Sequence, residues 1–298
     1  MTTTVEPDVV VIPAVAPPVS AGHGGRARRK SRRSFARSVL PVVATVVVFL
    51  GLWSFVSYVL LTPDRREILV PPPQEVLTTS LLDWSHLQPM LAALWLDVQV
   101  SLVGLSLACL LGIGSAVVMS QSRMLERSLY PFAVVLQTVP ILAIVPLIGL
   151  WFQYGFNARV IVCLIIAIFP MIANTLFGIH AADPGAHDLF TLNKATQWQR
   201  LVKLQLPGAL PSMFAGLRIS SGLAVIGAIV GDYFFTQGAP GIGTLLNTYL
   251  LRVQSADLFA AILLASLFGV LVFAASTALS RAAIGSWYSG ARAPTADR

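Results

Sequence analysis

Charge is scarce in this chain of 298 residues: 11% of positions are Asp, Glu, Lys or Arg, while 56% are hydrophobic. A soluble domain carries about 25% charged residues, so the composition excludes an ordinary water-soluble protein. Glycine-lysine pairs are absent, since the three lysines, Lys30, Lys194 and Lys203, follow Arg, Asn and Val. A phosphate-binding P-loop needs glycines to open backbone amides and a following lysine to reach the terminal phosphates. ATP hydrolysis through such a loop is therefore excluded. The four histidines, His23, His86, His180 and His187, form no H-E-x-x-H or i, i+4 pair, which excludes the usual helical zinc site. No G-x-S-x-G turn provides a serine nucleophile. Two cysteines, Cys109 and Cys163, have no C-x-x-C partner and read as small packing residues inside apolar segments. Nothing in the chain points to an enzyme.

What the chain does hold is long apolar blocks, each near the ~20 residues that a helix needs to cross ~30 Å of hydrocarbon. Six are found, at about residues 39–61, 94–119, 129–152, 160–179, 212–231 and 258–284. Helices are the expected form, because an open strand in lipid leaves backbone groups unpaired. The fold class is thus an all-α integral membrane protein with six transmembrane helices. Residues 1–38 read as a disordered basic tail, 39–61 as the first span and 62–93 as an external link interrupted by Pro71-Pro72-Pro73. Residues 94–285 form a core of five spans and 286–298 a second tail. Ser31-Arg32-Arg33-Ser34-Phe35-Ala36-Arg37 has the look of a twin-arginine export signal. The apolar run behind it is longer than the 7–15 residues of a signal core, and a membrane anchor is the better reading.

Basic residues mark the cytoplasmic side. With the N-terminus inside, fifteen of the twenty Lys and Arg fall inside: seven before the first span, Arg123 and Arg127, three in the loop between spans four and five, and Arg281, Arg292 and Arg298. Arg65, Arg66, Arg159 and Arg252 fall outside, and Arg218 is expected near a membrane edge. Both termini are then cytoplasmic in a multi-pass protein, and the net charge of +7 reports topology and lipid headgroups rather than nucleic acid. Asp97, near the outer end of the second span, is expected in the wet interface. Asp232, closing the fifth, either borders a substrate path or rests in that interface.

The segment from Asp183 to Arg218 is polar and basic between two apolar blocks. Pro184 can start a helix, because its missing N–H would be unpaired there in any case, while Pro207 and Pro211 are expected to end the polar segment. Leu189, Leu192, Trp198, Leu201 and Val202 recur at helical spacing, predicting one or two short amphipathic helices parallel to the membrane. Their apolar face needs a cover, either the chain's own bundle or another protein.

Several motifs occur in order: Pro73-Gln74-Glu75-Val76-Leu77, Ser101-Leu102, Gly112-Ile113-Gly114, Pro131, Thr138-Val139-Pro140-Ile141-Leu142-Ala143, Pro146-Leu147, Trp151-Phe152, Phe169-Pro170 and Asn174-Thr175-Leu176-Phe177-Gly178. The loop adds Leu206-Pro207-Gly208-Ala209-Leu210-Pro211 and Gly216-Leu217-Arg218. Together these resemble the permeases of ATP-binding-cassette importers of the nitrate, sulfonate, taurine and bicarbonate class. The resemblance implies that the loop, 183–211, carries cytoplasmic coupling helices that dock on an ATPase subunit. Asp188, Leu189, Phe190, Lys194, Ala195, Trp198, Arg200, Leu206, Pro207 and Pro211 would form that contact. It departs from the family in reading Asp188-Leu189-Phe190 for Glu-Ala-Ala and Lys194 where a glycine is usual, so the turn between the helices is expected to differ or to contact a matching acidic site on a dedicated ATPase. Gly238-Ala239-Pro240-Gly241-Ile242-Gly243 resembles the family's outer glycine turn, followed by a short helix at 244–253 with Leu246, Leu250 and Val253 on one face.

The resemblance further implies a homodimer bound to two ATP-binding subunits that hold Mg-ATP, with no cofactor or metal in this chain, and an external solute-binding protein. Pathway candidates are Pro140, Pro146, Asn174, Asp232, Gly241 and Gly243. The place is the bacterial plasma membrane. The solute is a small polar one such as a sulfonate, taurine or nitrate; Leu189-Phe190 and the stretch from Gly227 to Gly231 are also similar to importers of thiamine-precursor pyrimidines or riboflavin. A stand-alone ion-coupled transporter or channel is the reading from a different class, and it would call for inverted repeats and broken helices with ionisable groups at mid-membrane.

Overall fold

A computed structural model describes residues 30–235 and 237–285, so the readings of 1–29 and 286–298 as tails lie outside the described residues. Every regular element among the described residues is helical. Residues up to Leu52 and residues from Trp53 onward form two compact units.

The first unit is the helix α1, Lys30–Phe55, as far as Leu52. Pro41 lies inside it, and the Thr45 hydroxyl donates to the Pro41 carbonyl at 2.9 Å.

In the second unit α1 ends in a wide π-helical turn, Val56–Leu60, and is followed by α2, Pro63–Leu69. The Trp53 indole N–H donates to Pro71 O at 3.0 Å and the Ser57 hydroxyl to Val70 O at 2.8 Å, so the polyproline run is held by side chains. A short α3, Pro73–Glu75, continues as a π turn, Val76–Leu81. Then comes α4, Trp84–Ser120, whose 37 residues extend well outside the block expected at 94–119. Asp83 caps it, accepting from the Ser85 amide at 2.9 Å and hydroxyl at 2.7 Å, and these bonds, the hydroxyl's first, hold its carboxyl below the ordinary range.

The block expected as the third span is two helices, α5, Arg123–Thr138, and α6, Ile141–Phe152, bent by 97°. Val139, ahead of Pro140, is extended at ψ 130°, as the ring of a following proline demands. Next are α7, Phe156–His180, and α8, Pro184–Leu192. The helix α9, Gln197–Arg200, runs through a π turn at Leu201–Gln205 into α10, Leu206–Phe234. After it come α11, Ile242–Leu251, and α12, Ser255–Ile284. Among the described residues five helices are long and apolar enough to cross a membrane, and the bent pair makes a sixth span if it crosses too.

Packing decides that it does. A Cβ at Gly104 would sit 2.7 Å from Cys163 Cβ and one at Gly112 2.6 Å from Met171 Cβ, so α4 and α7 ascend together and run parallel. Parallel neighbours require the chain to return between them, and only α5 and α6 make that journey. Against α7, α10 runs antiparallel: Gly178 meets Ala209, Gly216 meets Asn174 and Gly227 meets Cys163. These small residues let the backbones approach closely, which is how helices associate where lipid removes the hydrophobic drive. Cys163 is part of that seam, its thiol 3.2 Å from Ala224 O.

Candidate functional site

The loop between α7 and α10 is locally determined. Asp183 caps α8 by accepting from Gly185 N at 3.3 Å, and Pro184 opens the helix as expected. At the other end Ala195 N donates to Phe190 O at 2.9 Å and Lys194 N to Thr191 O at 3.0 Å, the paired bonds of a Schellman turn. Lys194 occupies its left-handed position at φ 50°. The expectation that a lysine here would change the turn is corrected: the turn keeps the glycine geometry, and the two bonds offset a strain of about 1–2 kcal/mol. Thr196 and Gln199 then form a reciprocal capping box that starts α9. Arg200 Nη2 donates to Thr191 Oγ1 at 3.0 Å and ties α9 back to α8.

Pro207 and Pro211 do not end the segment, contrary to the reading of the sequence, and the chain from Gln197 to Phe234 is one long helical rod. The π turn at Leu201–Gln205, just before Pro207, accommodates the residue whose backbone has no N–H to give. Leu201 is buried against the bundle, whereas Leu189, Leu192 and Trp198 are 60%, 79% and 67% exposed. Asp188, Lys194 and Pro207 are exposed, and Phe190, Ala195, Arg200, Leu206 and Pro211 half-buried. A polar cavity of about 570 Å³ opens beside the loop between Ser120, Arg123, Glu126, Arg127, His180, His187 and Gln205.

The positive φ of Lys194 is testable. Lys194→Gly is expected to keep the turn and uptake. Lys194→Pro, which needs φ near −65° and removes the N–H given to Thr191, is expected to cost about 3 kcal/mol locally and lower uptake. Uptake at matched amounts of protein in the membrane reads both.

At the opposite end of the bundle three charged side chains meet out of solvent. Arg159 of α7 and Asp232 of α10 form an ion pair, Nη2 to Oδ1 at 2.9 Å, both buried. Arg159 also donates to the carbonyls of Ala239, Phe235 and Gln237 at 3.0 to 3.4 Å. Asp232 accepts from the amides of Gly241 at 3.1 Å and Thr244 at 2.6 Å, and Asp97 of α4 accepts from Ile242 N at 2.7 Å. These amides belong to the first turn of α11, whose cap residue, Gly241, has no side chain to offer. Carboxylates from α10 and α4 take over the capping, where the helix dipole also favours negative charge. A Cβ at Gly241 would lie 2.6 Å from Asp232 Cγ and one at Gly243 2.5 Å from Tyr233 N, so these glycines serve close approach. Gly238, at φ 88°, is the turn residue.

This geometry corrects two expectations. Asp97 is fully buried rather than in the wet interface, and Arg159 lies inside the bundle instead of among exposed external arginines. Asp232, Gly241 and Gly243 are held together in the α11 anchor. Asp97 and Arg159 join them with no local signal in the chain to mark it. Of the other pathway candidates, Pro140 sits at the α5–α6 bend and Pro146 inside α6, while Asn174 lies at the α7–α10 crossing with its amide 2.9 Å from Pro170 O. The helix expected at 244–253 is Ile242–Leu251; Leu246 packs inward, while Leu250 and Val253 are exposed. Arg218, expected near a membrane edge, lies near the middle of α10.

Long apolar helices packed parallel and antiparallel, with a broken pair between two of them, define a membrane-embedded helical bundle. The family model described as "Binding-protein-dependent transport system inner membrane component" matches residues 108–285, and this chain belongs to that family. It is 33% identical over 215 residues to the formylaminopyrimidine transport permease ThiX of Halalkalibacterium halodurans, covering 70% of this chain and 82% of that one. To the nitrate import permease NrtB of Synechococcus elongatus it is 30% identical, over 68% and 74% of the two chains. The taurine permease TauC of Escherichia coli is 29% identical over 71% and 80%. A chain of the MetNI methionine transporter in its inward-facing form shares the fold at a TM-score of 0.60 and 16% identity, covering 67% of this chain and 98% of that one.

The protein is accordingly a permease subunit of an ATP-driven importer, a multi-pass inner-membrane component that is not itself an enzyme. An ATP-binding subunit and a solute-binding protein are its partners.

Proposed function

We propose that two copies of this chain form the pathway, that both termini and the loop 183–211 face the cytoplasm, and that two ATPase subunits holding Mg-ATP grip the α8–α9 turn. One observation carries this reading: Leu189, Leu192 and Trp198 project from a tightly capped loop and remain exposed when the rest of the chain is packed. An apolar face on a rigid, polar-flanked turn suits a protein groove, with aromatic anchors of the kind that dominate interfaces. The excess of Lys and Arg at that end supports its cytoplasmic side. Rigid-body movement of the loop would then rock the continuous rod from Gln197 to Phe234 and open the spans alternately to each side.

The solute is a small polar molecule of the sulfonate, taurine or nitrate kind, in line with the named cargo of TauC and NrtB. Its 33% identity to ThiX favours a second reading, a thiamine-precursor pyrimidine. Purification of the chain from its native membrane is expected to bring an ATPase with it, and the complex in proteoliposomes to take up solute only with ATP and the binding protein. Ion-driven uptake by the permease alone would overturn the proposal in favour of a secondary transporter.

A further inference from the structure

Arg218 is a cation in the middle of a span with no side-chain partner among the described residues. Its depth follows from the antiparallel α7–α10 seam: two residues before it, Gly216 packs against Pro170 O and Asn174, and two residues after it the Ser220 hydroxyl donates to Ala167 O at 2.7 Å. Those α7 residues bracket the midpoint of Phe156–His180, so Arg218 stands roughly 18 Å along the axis from either end of α7 at 1.5 Å per residue. The side chain makes no hydrogen bond or ion pair among the described residues, and it is exposed. One turn further along the same face, a Cβ at Gly222 would meet nothing within 4 Å. A charge at this depth is costly in lipid, and such residues face a bundle interior or a wet cavity and find a counter-charge.

The described residues provide none. Among the described residues the two carboxylates deepest within spans, Asp97 inside α4 and Asp232 near the end of α10, are buried in the α11 anchor. A second copy of the chain would bring the same set. The counter-charge therefore has to arrive with what passes by. Resting on the importer reading above, we propose that Arg218 is an anion-recognising residue of the translocation pathway, so that the solute carries a negatively charged group. This selects sulfonate- or nitrate-like cargo over a neutral pyrimidine or flavin. The guanidinium suits planar or trigonal oxyanions through paired N–H donors.

The test uses the permease with its co-purified ATPase and binding protein in proteoliposomes, with ethanesulfonate, taurine and nitrate as probes and riboflavin as the neutral comparison. Arg218→Gln is expected to lower uptake of the transported anion at least tenfold while the ATPase co-purifies in wild-type amount, and Arg218→Lys to restore part of it. In a Cys109→Ser/Cys163→Ala background, Arg218→Cys is expected to react with a membrane-impermeant charged thiosulfonate and to be protected by excess anion. Wild-type uptake of riboflavin alone, undiminished anion uptake by Arg218→Gln, or no thiol reaction would overturn the proposal. Loss of ATPase co-purification from the wild type would instead sink the importer reading, and the thiol reaction would still report whether position 218 is wet.

Discussion

Arg159→Ala is expected to destabilise the folded chain by about 3–5 kcal/mol, the cost of removing one partner from a buried ion pair. The guanidinium neutralises Asp232 and also satisfies three carbonyls in the segment from Phe235 to Ala239. Without it Asp232 is left buried and unpaired beside Asp97, and the turn leading to α11 loses its donors. The midpoint of thermal aggregation in detergent should fall sharply. Arg159→Ala/Asp232→Ala should recover part of the loss, because no uncompensated charge from the pair remains, although α11 then lacks one of its caps. A single mutant as stable as the wild type would show that the pair does not anchor α11.

Trp198→Asp should have the opposite profile, a normal chain with a failed assembly. The indole is exposed, so the substitution touches no core and should change the stability of the isolated permease by no more than about 0.5 kcal/mol. If the α8–α9 turn sits in an ATPase groove, losing an aromatic anchor costs at least about 2 kcal/mol, more than tenfold in affinity, and a carboxylate inside an apolar groove adds to that. Expected are wild-type amounts of permease in the membrane, little co-purifying ATPase and no uptake. Normal assembly and uptake would rule out Trp198 as a docking residue.

The two variants probe parts of the molecule that were unequally legible. The loop 183–211 was readable because its signals are local: Pro184 opens a helix, Leu189 and Leu192 recur at helical spacing, Trp198 starts a second run, and the Lys194 departure marks the turn. What was misjudged there was again backbone accommodation. A lysine can hold φ 50° when two hydrogen bonds close the turn, and prolines at 207 and 211 can stay helical behind a π turn. Proline in a sequence does not say whether it will bend a span. Pro170 and Pro211 lie in unbroken helices, whereas Pro140 follows an extended Val139 and sits at a 97° bend.

The sequence alone determined the membrane class, the number of apolar segments, the polar loop and its sidedness signal, and the absence of a P-loop, because each depends on composition or on neighbours a few residues apart. Only the tertiary structure decided that the bent third segment is a crossing, since that rests on α4 and α7 running parallel. It also brought Asp97, Arg159 and Asp232, far apart in the chain, to one buried anchor, and left Arg218 at mid-depth without a side-chain partner among the described residues. Burial and pairing of charge are properties of the packed bundle: a carboxylate or guanidinium has the same letter in an interface, in a lock or in a path, and only its neighbours tell which.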